Sequence, residues 1–291
     1  MRDRTAHAEQ MTNQPMPRRL RRAFGRVLPM VALLHAYLGW RLLPALAPGV
    51  FGMTLGVGLL ALSTCLVPLG LLARFMVDDQ TWADRLSWTG GLAMGLFSSL
   101  FVLTVLRDVL LLISDAALLG TPTALGVLAL AVLFSAVGYF NARRIARVVA
   151  VDVPLRGLSK ALEGFSIVQL SDIHVGPTIK RDYVQAIVDR VNALHADLVV
   201  ITGDLVDGSV EQLAADVRPL ASLRSRYGTY FVLGNHEYYS GAAAWAAEFE
   251  RIGLHGLHNR HVVLGGGASQ LVLAGVTDYS AGAFDPAQTN N

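Results

Sequence analysis

The sequence predicts an α-helical transmembrane segment of four helices followed by an α/β domain. Of the 291 residues, 53% are hydrophobic and only 16% are charged, whereas about a quarter of the residues are charged in an ordinary soluble domain. Nearly all of the apolar excess lies before residue 141. Beyond that position, short β-branched runs alternate with amphipathic helical stretches. We therefore expect two regions that fold in two different solvents.

Four apolar stretches of about 20 residues or more predict the membrane helices. They run over Val27–Leu46, Val50–Ala73, Gly90–Ile113 and Thr121–Phe140. A helix needs about 20 residues to cross roughly 30 Å of hydrocarbon, whereas a buried core helix rarely needs that length. We expect a basic arm at residues 1–26 and a four-helix transmembrane region at residues 27–140.

The positions of the arginines predict the orientation of these helices. Basic residues occur before the first span, between the second and third, and after the fourth, but not in the Ser114–Thr121 loop. Arg41, near the end of the first span, is the exception to this distribution. Because basic loops stay on the cytoplasmic side, we expect both termini and the α/β domain in the cytoplasm, at the inner (plasma) membrane. The arginines are Arg18, Arg19, Arg21, Arg22, Arg26, Arg74, Arg85, Arg143, Arg144 and Arg147.

A secretion signal is the alternative interpretation of the N-terminal region. The arginine pair at 21–22 resembles a twin-arginine motif, and the residues at 45–47 resemble a cleavage site after an apolar run. Pro48 directly after that site disfavours cleavage, and three further apolar stretches follow. The pattern favours a membrane anchor.

Two charged residues lie near the end of the third span. Arg107 and Asp108 could mark a functional site inside the membrane, but we expect their side chains to extend to the interface instead. The spans lack the scattered polar residues of a transport pathway. This disfavours a third possibility, a transporter with a regulatory domain.

After a connector at residues 141–164, three short apolar runs predict a largely parallel sheet. They are Phe165–Leu170, Asp197–Thr202 and Thr229–Leu233. Each is rich in β-branched and aromatic residues with little alternation, which is typical of a strand covered on both faces. Helical patterns at Lys180–Leu194, Gln212–Leu223 and Ala242–Ile252 follow these runs. Strands that alternate with helices imply right-handed crossover connections.

Polar side chains follow the end of each predicted strand. The three runs end in Ser171-Asp172-Ile173-His174, Gly203-Asp204-Leu205-Val206-Asp207 and Gly234-Asn235-His236-Glu237. Ligands of an open parallel sheet bind beyond the carboxyl ends of its strands, so these groups should share one crevice. Asp172 and His174, two residues apart on an extended chain, could hold one ion together, and Asp204 is placed to bridge two. Carboxylate, imidazole and amide oxygen suit Mn²⁺, Fe²⁺, Zn²⁺ or Mg²⁺.

Composition excludes other kinds of site. The single cysteine, Cys65, rules out an intrachain disulfide and a thiolate metal site. A net charge of +2 is too small to predict a nucleic-acid partner. The sequence makes no prediction of the oligomeric state.

These motifs resemble the calcineurin-like metallophosphoesterase family. The family pattern is Asp-x-His, Gly-Asp-x-x-Asp, Gly-Asn-His-Asp/Glu, and then Gly-His and Gly-His-x-His. The first three blocks are present, the resemblance covers Phe165–Asp278, and the N-terminal spans look like those of the bacterial membrane-bound branch. The resemblance implies an αββα sandwich that binds two divalent metal ions.

The resemblance also implies a role for each motif residue. Asp172 and His174 would hold the first metal, Asp204 would bridge both metals, and Asn235 would bind the second. His236 would protonate or stabilise the leaving oxygen. Asp207 would be a supporting residue that orients the loop or a ligand histidine.

The implied chemistry is two-metal hydrolysis of a phosphate ester or pyrophosphate bond. Two ions about 3.5–4 Å apart lower the pKa of a shared water and neutralise charge on the phosphoryl oxygens. The partners would be the lipid bilayer and a phosphorylated small-molecule or lipid substrate. Tethering at the membrane favours a lipid-linked phosphate.

The last two family blocks do not occur after Asp278. His255, His258 and His261 precede the predicted strand Leu271–Val276 and have neither form, so we expect them at the surface. We therefore expect a C-terminally incomplete domain over residues 165–291. The alternative function is that of a catalytically impaired, truncated membrane protein that binds at most one metal ion and does not turn over.

Overall fold

The computed structural model describes residues 18–47, 49–113, 120–267 and 270–289. Most of the predicted basic arm and most of the Ser114–Thr121 loop lie outside these residues. The chain divides into two compact units, the first ending at Arg143 and the second beginning at Arg144. This division falls within the predicted connector.

Four helices make up the first unit where the apolar stretches predicted them. They are α1 (Arg18–Leu46), α2 (Gly49–Met76), α3 (Gln80–Ile113) and α4 (Gly120–Ala142). Each contains a stretch that is long and apolar enough to cross a membrane. Many of their leucine, valine and phenylalanine side chains are exposed, as expected of helices that face lipid. The predicted four-helix membrane segment is confirmed.

Helix α3 begins ten residues earlier than the sequence predicted. The Asp79 carboxylate accepts a hydrogen bond from the backbone N–H of Trp82 at 3.0 Å, so it caps the first turn. Farther along, Gly90 of α3 lies against Gly70 of α2. A Cβ atom on Gly70 would lie 2.7 Å from the Cα of Gly90, so the two glycines allow these helices to approach closely.

Arg107 and Asp108 have hydrogen-bond partners within the first unit that the sequence did not predict. Asp108 accepts hydrogen bonds from Arg41 Nε at 2.7 Å and from the Tyr37 hydroxyl at 2.6 Å. Arg107 is buried and donates to the Thr123 hydroxyl at 2.9 Å. These bonds join α1, α3 and α4 inside the unit. A charged group that leaves water needs such partners, and the partners of Asp108 lie 67 and 71 residues away in the sequence.

The second unit contains a four-stranded parallel sheet with strands in sequence order. The strands are β1 (Ile167–Leu170), β2 (Leu198–Ile201), β3 (Thr229–Phe231) and β4 (His255–Gly256). Val168 of β1 pairs with Val199 of β2, which pairs with Thr229 of β3. A separate antiparallel pair consists of β5 (Arg260–Leu264) and β6 (Leu271–Gly275). The predicted α/β domain is confirmed.

Helices occupy the connections between these strands. They are α5 (Arg181–Asn192), α6 (Val210–Val217), α7 (Asn235–Ser240), α8 (Ala242–Arg251) and, after β6, α9 (Ala281–Phe284). The helix predicted over Gln212–Leu223 is α6 followed by a 3₁₀ turn, because Pro219 lacks the N–H that an α-helix would use. Helix α7 was not predicted.

Large apolar side chains from the sheet and from α5, α6 and α8 form the core of the second unit. Trp245, Phe249 and Phe231 are almost completely buried. The Trp245 indole N–H donates to the carbonyl of Gly208 at 2.9 Å, which satisfies its polar group. Burial of side chains of this size contributes about 1.5–3 kcal/mol each.

His258 differs from the surface residue that the sequence predicted. His255 and His261 are exposed, but both ring nitrogens of His258 are buried and have no hydrogen-bond partner among the described residues. Its ring packs against Phe231 with 5.4 Å between centroids. Burial lowers the pKa of His258, the nearby Glu250 raises it, and Arg260 lowers it, with a net lowering.

We expect acid to destabilise the second unit through His258. The folded-state pKa lies below that of the unfolded chain, about 6.5. The unfolded state therefore binds the proton first, and stability falls as the pH drops below about 6.5, by at most about 1.4 kcal/mol per pH unit. In His258→Leu, the fall in Tm between pH 7.5 and 5.5 should be smaller than in the parent. His261→Leu is the control. Equal slopes in all three proteins would contradict the account.

Candidate metal centre

The loops that follow β1 and β2 lie side by side. The backbone N–H of Asp172 donates to the carbonyl of Gly203 at 3.2 Å, and that of His174 donates to the carbonyl of Asp204 at 3.1 Å. These bonds continue the parallel pairing of the strands beyond their carboxyl ends. The two loops that carry the first two motifs are therefore adjacent, as the sheet predicted.

Three of the predicted metal ligands have left-handed backbone conformations. The φ angles are 56° at Asp172, 52° at His174 and 54° at Asp204, a region that non-glycine residues rarely occupy. The sequence predicted an extended chain between Asp172 and His174. The structure instead shows a chain that turns at each of these residues. The two side chains still meet, because Asp172 Oδ1 lies 3.8 Å from His174 Nε2.

A group of potential metal donors lies at this edge of the sheet. His174, Asp204 and His236 each offer a donor atom, and the three atoms lie within 4.8 Å of one another. Asp172 is not one of these three residues, and its side chain is mostly exposed. The structure thus places His236, predicted as the proton donor, in the same group around Asp204 as the predicted ligand His174.

Asn235 faces Asp204 in an arrangement that suits a cation. Its amide oxygen, as oriented in the structure, lies 3.2 Å from both carboxylate oxygens of Asp204. Acceptors at that distance repel one another unless a cation lies between them or the amide rotates to donate two hydrogen bonds. Carboxylate, imidazole and amide donors together fit a hard or borderline divalent ion.

Two glycines allow the second and third loops to come this close. Gly203 has a φ of +88°, and a Cβ atom there would lie 2.2 Å from the backbone nitrogen of Gly234. A Cβ atom on Gly234 would lie 2.3 Å from Oδ1 of Asp204. Any side chain at either position would therefore displace the Asp204 carboxylate or its loop.

Asp207 contacts both histidines of the site. Its Oδ1 lies 2.5 Å from Nδ1 of His236, and both of its oxygens lie 3.2 Å from Nδ1 of His174. The two imidazole rings meet edge to face with 4.5 Å between centroids. A carboxylate at Nδ1 favours the tautomer with the hydrogen on that atom, which leaves Nε2 of each ring free to bind a metal or a substrate.

Glu237, which the sequence analysis placed in the third motif without a role, is a structural link within the site. Its side chain is fully buried and accepts four backbone N–H bonds, from Gly234 at 2.8 Å, Asp204 at 2.9 Å, Leu205 at 2.7 Å and Val206 at 3.0 Å. Burial raises the pKa of Glu237, and these four bonds oppose the rise. The Glu237 carboxylate thus joins the loop after β2 to the loop after β3 by hydrogen bonds.

The comparisons with known proteins agree with this geometry. The profile of the calcineurin-like phosphoesterase family matches residues 165–280. A transmembrane protein with metallophosphoesterase domain from Danio rerio is 37% identical over 198 residues, which cover 64% of this chain and 45% of that protein. An uncharacterized metallophosphoesterase from Helicobacter pylori (strain ATCC 700392 / 26695) is 41% identical over 124 residues, 43% of this chain and 32% of that protein.

A third relative has a more specific name. The UDP-2,3-diacylglucosamine pyrophosphatase LpxG of Chlamydia muridarum is 35% identical over 78 residues, 26% of this chain and 24% of that protein. The chain thus spans less than half the length of each of these three relatives. No solved structure matches the chain significantly.

The strand-end motifs, their approach across the sheet and the family profile lead to the same assignment. The motif residues from Asp172 to Glu237 all lie within the matched range. Residues 165–280 of this chain match the calcineurin-like phosphoesterase family.

Proposed function

We propose that this chain is a membrane-anchored, metal-dependent phosphoesterase that hydrolyses a phosphate ester or pyrophosphate bond. The observation that carries the proposal is the cluster of His174, Asp204 and His236, whose donor atoms lie within 4.8 Å of one another. The side-chain amide of Asn235 lies 3.2 Å from both Asp204 carboxylate oxygens and extends the cluster on the side of the loop after β3.

The residues divide between two metal positions. Asp172 and His174 would hold the first ion, Asn235 the second, and Asp204 both, with Mn²⁺, Fe²⁺, Zn²⁺ or Mg²⁺ as candidates. Bound divalent ions would supply an activated water and neutralise charge on the phosphoryl group. The Asp204 carboxylate lies near both His174 and the Asn235 amide, which supports its assignment to both ions.

His236 and Asp207 would handle the proton of the leaving group. The contact between His236 Nδ1 and Asp207 holds the ring in place, as a proton donor requires. His236 Nε2–H would then donate its proton to the leaving oxygen as the bond to phosphorus breaks. Asp207 would keep the negative charge that balances the imidazolium.

The membrane segment supports a substrate at the bilayer surface. Among the described residues, four helices are long and apolar enough to cross a membrane, and the relative from Chlamydia muridarum is named a UDP-2,3-diacylglucosamine pyrophosphatase, a name that specifies a diacylated sugar nucleotide. We therefore propose a lipid-linked phosphate as substrate. The arginine distribution supports an active site on the cytoplasmic face of the inner membrane.

The full chain in detergent micelles should release p-nitrophenol from bis-p-nitrophenyl phosphate when Mn²⁺ is present. Chelation should stop the release, and added Mn²⁺ should restore it, because the site needs its ions. No turnover at any Mn²⁺ concentration, with weak binding of at most one ion by calorimetry, would instead establish the non-catalytic alternative.

Replacing His236 by alanine should slow hydrolysis most for poor leaving groups. A proton donor contributes about 10²–10⁴-fold when the leaving oxygen is as basic as an alkoxide, but p-nitrophenolate leaves without protonation. We expect kcat for butyl phosphate to fall about 10²-fold or more and kcat for p-nitrophenyl phosphate to fall much less. An equal loss on both substrates would argue against His236 as the proton donor.

A further inference from the structure

Two exposed aromatic side chains lie next to the proposed proton donor. The Tyr239 ring meets the His236 ring edge to face, with 5.8 Å between centroids. The Phe284 ring meets Tyr239 in the same way at 5.5 Å. Tyr239 is 64% exposed and Phe284 is 50% exposed. Large apolar groups that stay this exposed beside a reactive histidine are candidates for substrate contacts.

Other contacts hold these two rings in place. Tyr238, the neighbour of Tyr239 on α7, is buried, packs against Phe284 with 5.8 Å between centroids, and donates from its hydroxyl to Gln288 at 2.7 Å. Ala281 at the start of α9 is fully buried in the core. Helix α9 is thus anchored by residues other than the exposed ring faces, so those faces remain available to a ligand.

The position of the pair identifies the part of the substrate that it would contact. If His236 protonates the leaving oxygen, the carbon attached to that oxygen lies next to the imidazole. Tyr239 contacts that imidazole, and Phe284 in turn contacts Tyr239. The pair therefore lines the path of the leaving alcohol rather than that of the phosphoryl group.

We propose that Tyr239 and Phe284 form the leaving-group subsite and that this subsite selects phosphate esters of apolar alcohols. The inference rests on the proposed phosphoesterase function and narrows it. A lipid alcohol and an aryl alcohol share the required chemistry, so substrates of both kinds belong in the test.

Two substrate pairs test the subsite in the full chain with Mn²⁺. Hexyl and butyl phosphate differ in alkyl length, and 2-naphthyl and phenyl phosphate differ in ring area, while the leaving oxygens within each pair are closely similar. In the parent, kcat/KM should favour the larger member by about tenfold, the effect of a few buried carbons. A lipid-type subsite would show the preference mainly in the alkyl pair, and an aryl-type subsite mainly in the aromatic pair.

Tyr239→Ala and Phe284→Ala should each reduce the preference toward unity, mainly through KM. Tyr239→Phe keeps the ring and should retain the preference. Tyr279→Ala, at a side chain that is 96% exposed, is the surface control. The inference would be overturned, and the proposed function left standing, by either of two results. One is an unchanged preference for the larger substrate in both alanine variants, and the other is the absence of that preference in an active parent. Inactivity of the parent on all substrates would overturn the proposed function and the inference with it.

Discussion

Asp204→Asn should lower the Mn²⁺-dependent turnover by at least about 10³-fold. Asp204 is the carboxylate proposed to contact both ions, so its neutralisation should weaken both sites and remove several kcal/mol of charge stabilisation. Each loss of about 1.4 kcal/mol lowers the rate tenfold. In the parent, the backbone N–H of His236 donates to Oδ1 of Asp204 at 3.1 Å. Asparagine keeps a side-chain oxygen that can accept this hydrogen bond. The loop should therefore keep its shape. Turnover of bis-p-nitrophenyl phosphate and Mn²⁺ stoichiometry by equilibrium dialysis measure the two losses.

A matched control separates the site from a general effect of lost charge. Asp182→Asn changes an exposed acid on α5 and should leave turnover and stoichiometry as in the parent. The Tm of both variants in metal-free buffer should stay within a few degrees of the parent value. Parent-like turnover in Asp204→Asn would show that the reaction does not pass through this cluster.

Glu237→Gln should destabilise the second unit and weaken Mn²⁺ binding together. The carboxylate accepts two N–H bonds at each oxygen, from Leu205 and Val206 at Oε1 and from Asp204 and Gly234 at Oε2. The glutamine amide has one oxygen, so its NH₂ group would face two donors. Two buried, unsatisfied N–H groups cost roughly 1–3 kcal/mol each, a large part of a domain's usual 5–15 kcal/mol. Thermal unfolding and Mn²⁺ titration measure the two effects.

Two further variants distinguish the loss of the Glu237 hydrogen bonds from the loss of its charge. Glu237→Asp keeps four acceptor lone pairs but shortens the side chain, so its Tm and Mn²⁺ affinity should lie between those of the parent and Glu237→Gln. Glu163→Gln removes an exposed charge in the connector and should behave like the parent. If Glu237→Gln kept the parent Tm and affinity, the four hydrogen bonds would not hold the loops.

Much of the fold could be predicted because its signals are local. Four apolar stretches of membrane length and three short β-branched runs can each be recognised within a window of about 20 residues. The adjacency of the motifs at Asp172 and Asp204 followed from a general property of parallel sheets, that their carboxyl ends share one edge.

The parts that the sequence did not predict depend on partners far along the chain. Glu237 accepts N–H groups of residues 31 to 33 positions away, and Asp108 pairs with Arg41 across 67 positions. The one local signal for Glu237 was an acid three residues after a glycine at a strand end, the spacing of a helix cap. The left-handed φ angles of Asp172 and His174 are likewise set by the neighbouring loop, so an extended chain was predicted in their place.

The position of Mn²⁺ in crystals of the full chain tests the central claim most directly. An anomalous difference map at the manganese edge should show two peaks about 3.5–4 Å apart, with the Asp204 carboxylate between them. One peak should lie beside His174 and the other beside Asn235. Manganese bound only elsewhere on the chain, with no peak at Asp204, would contradict the account.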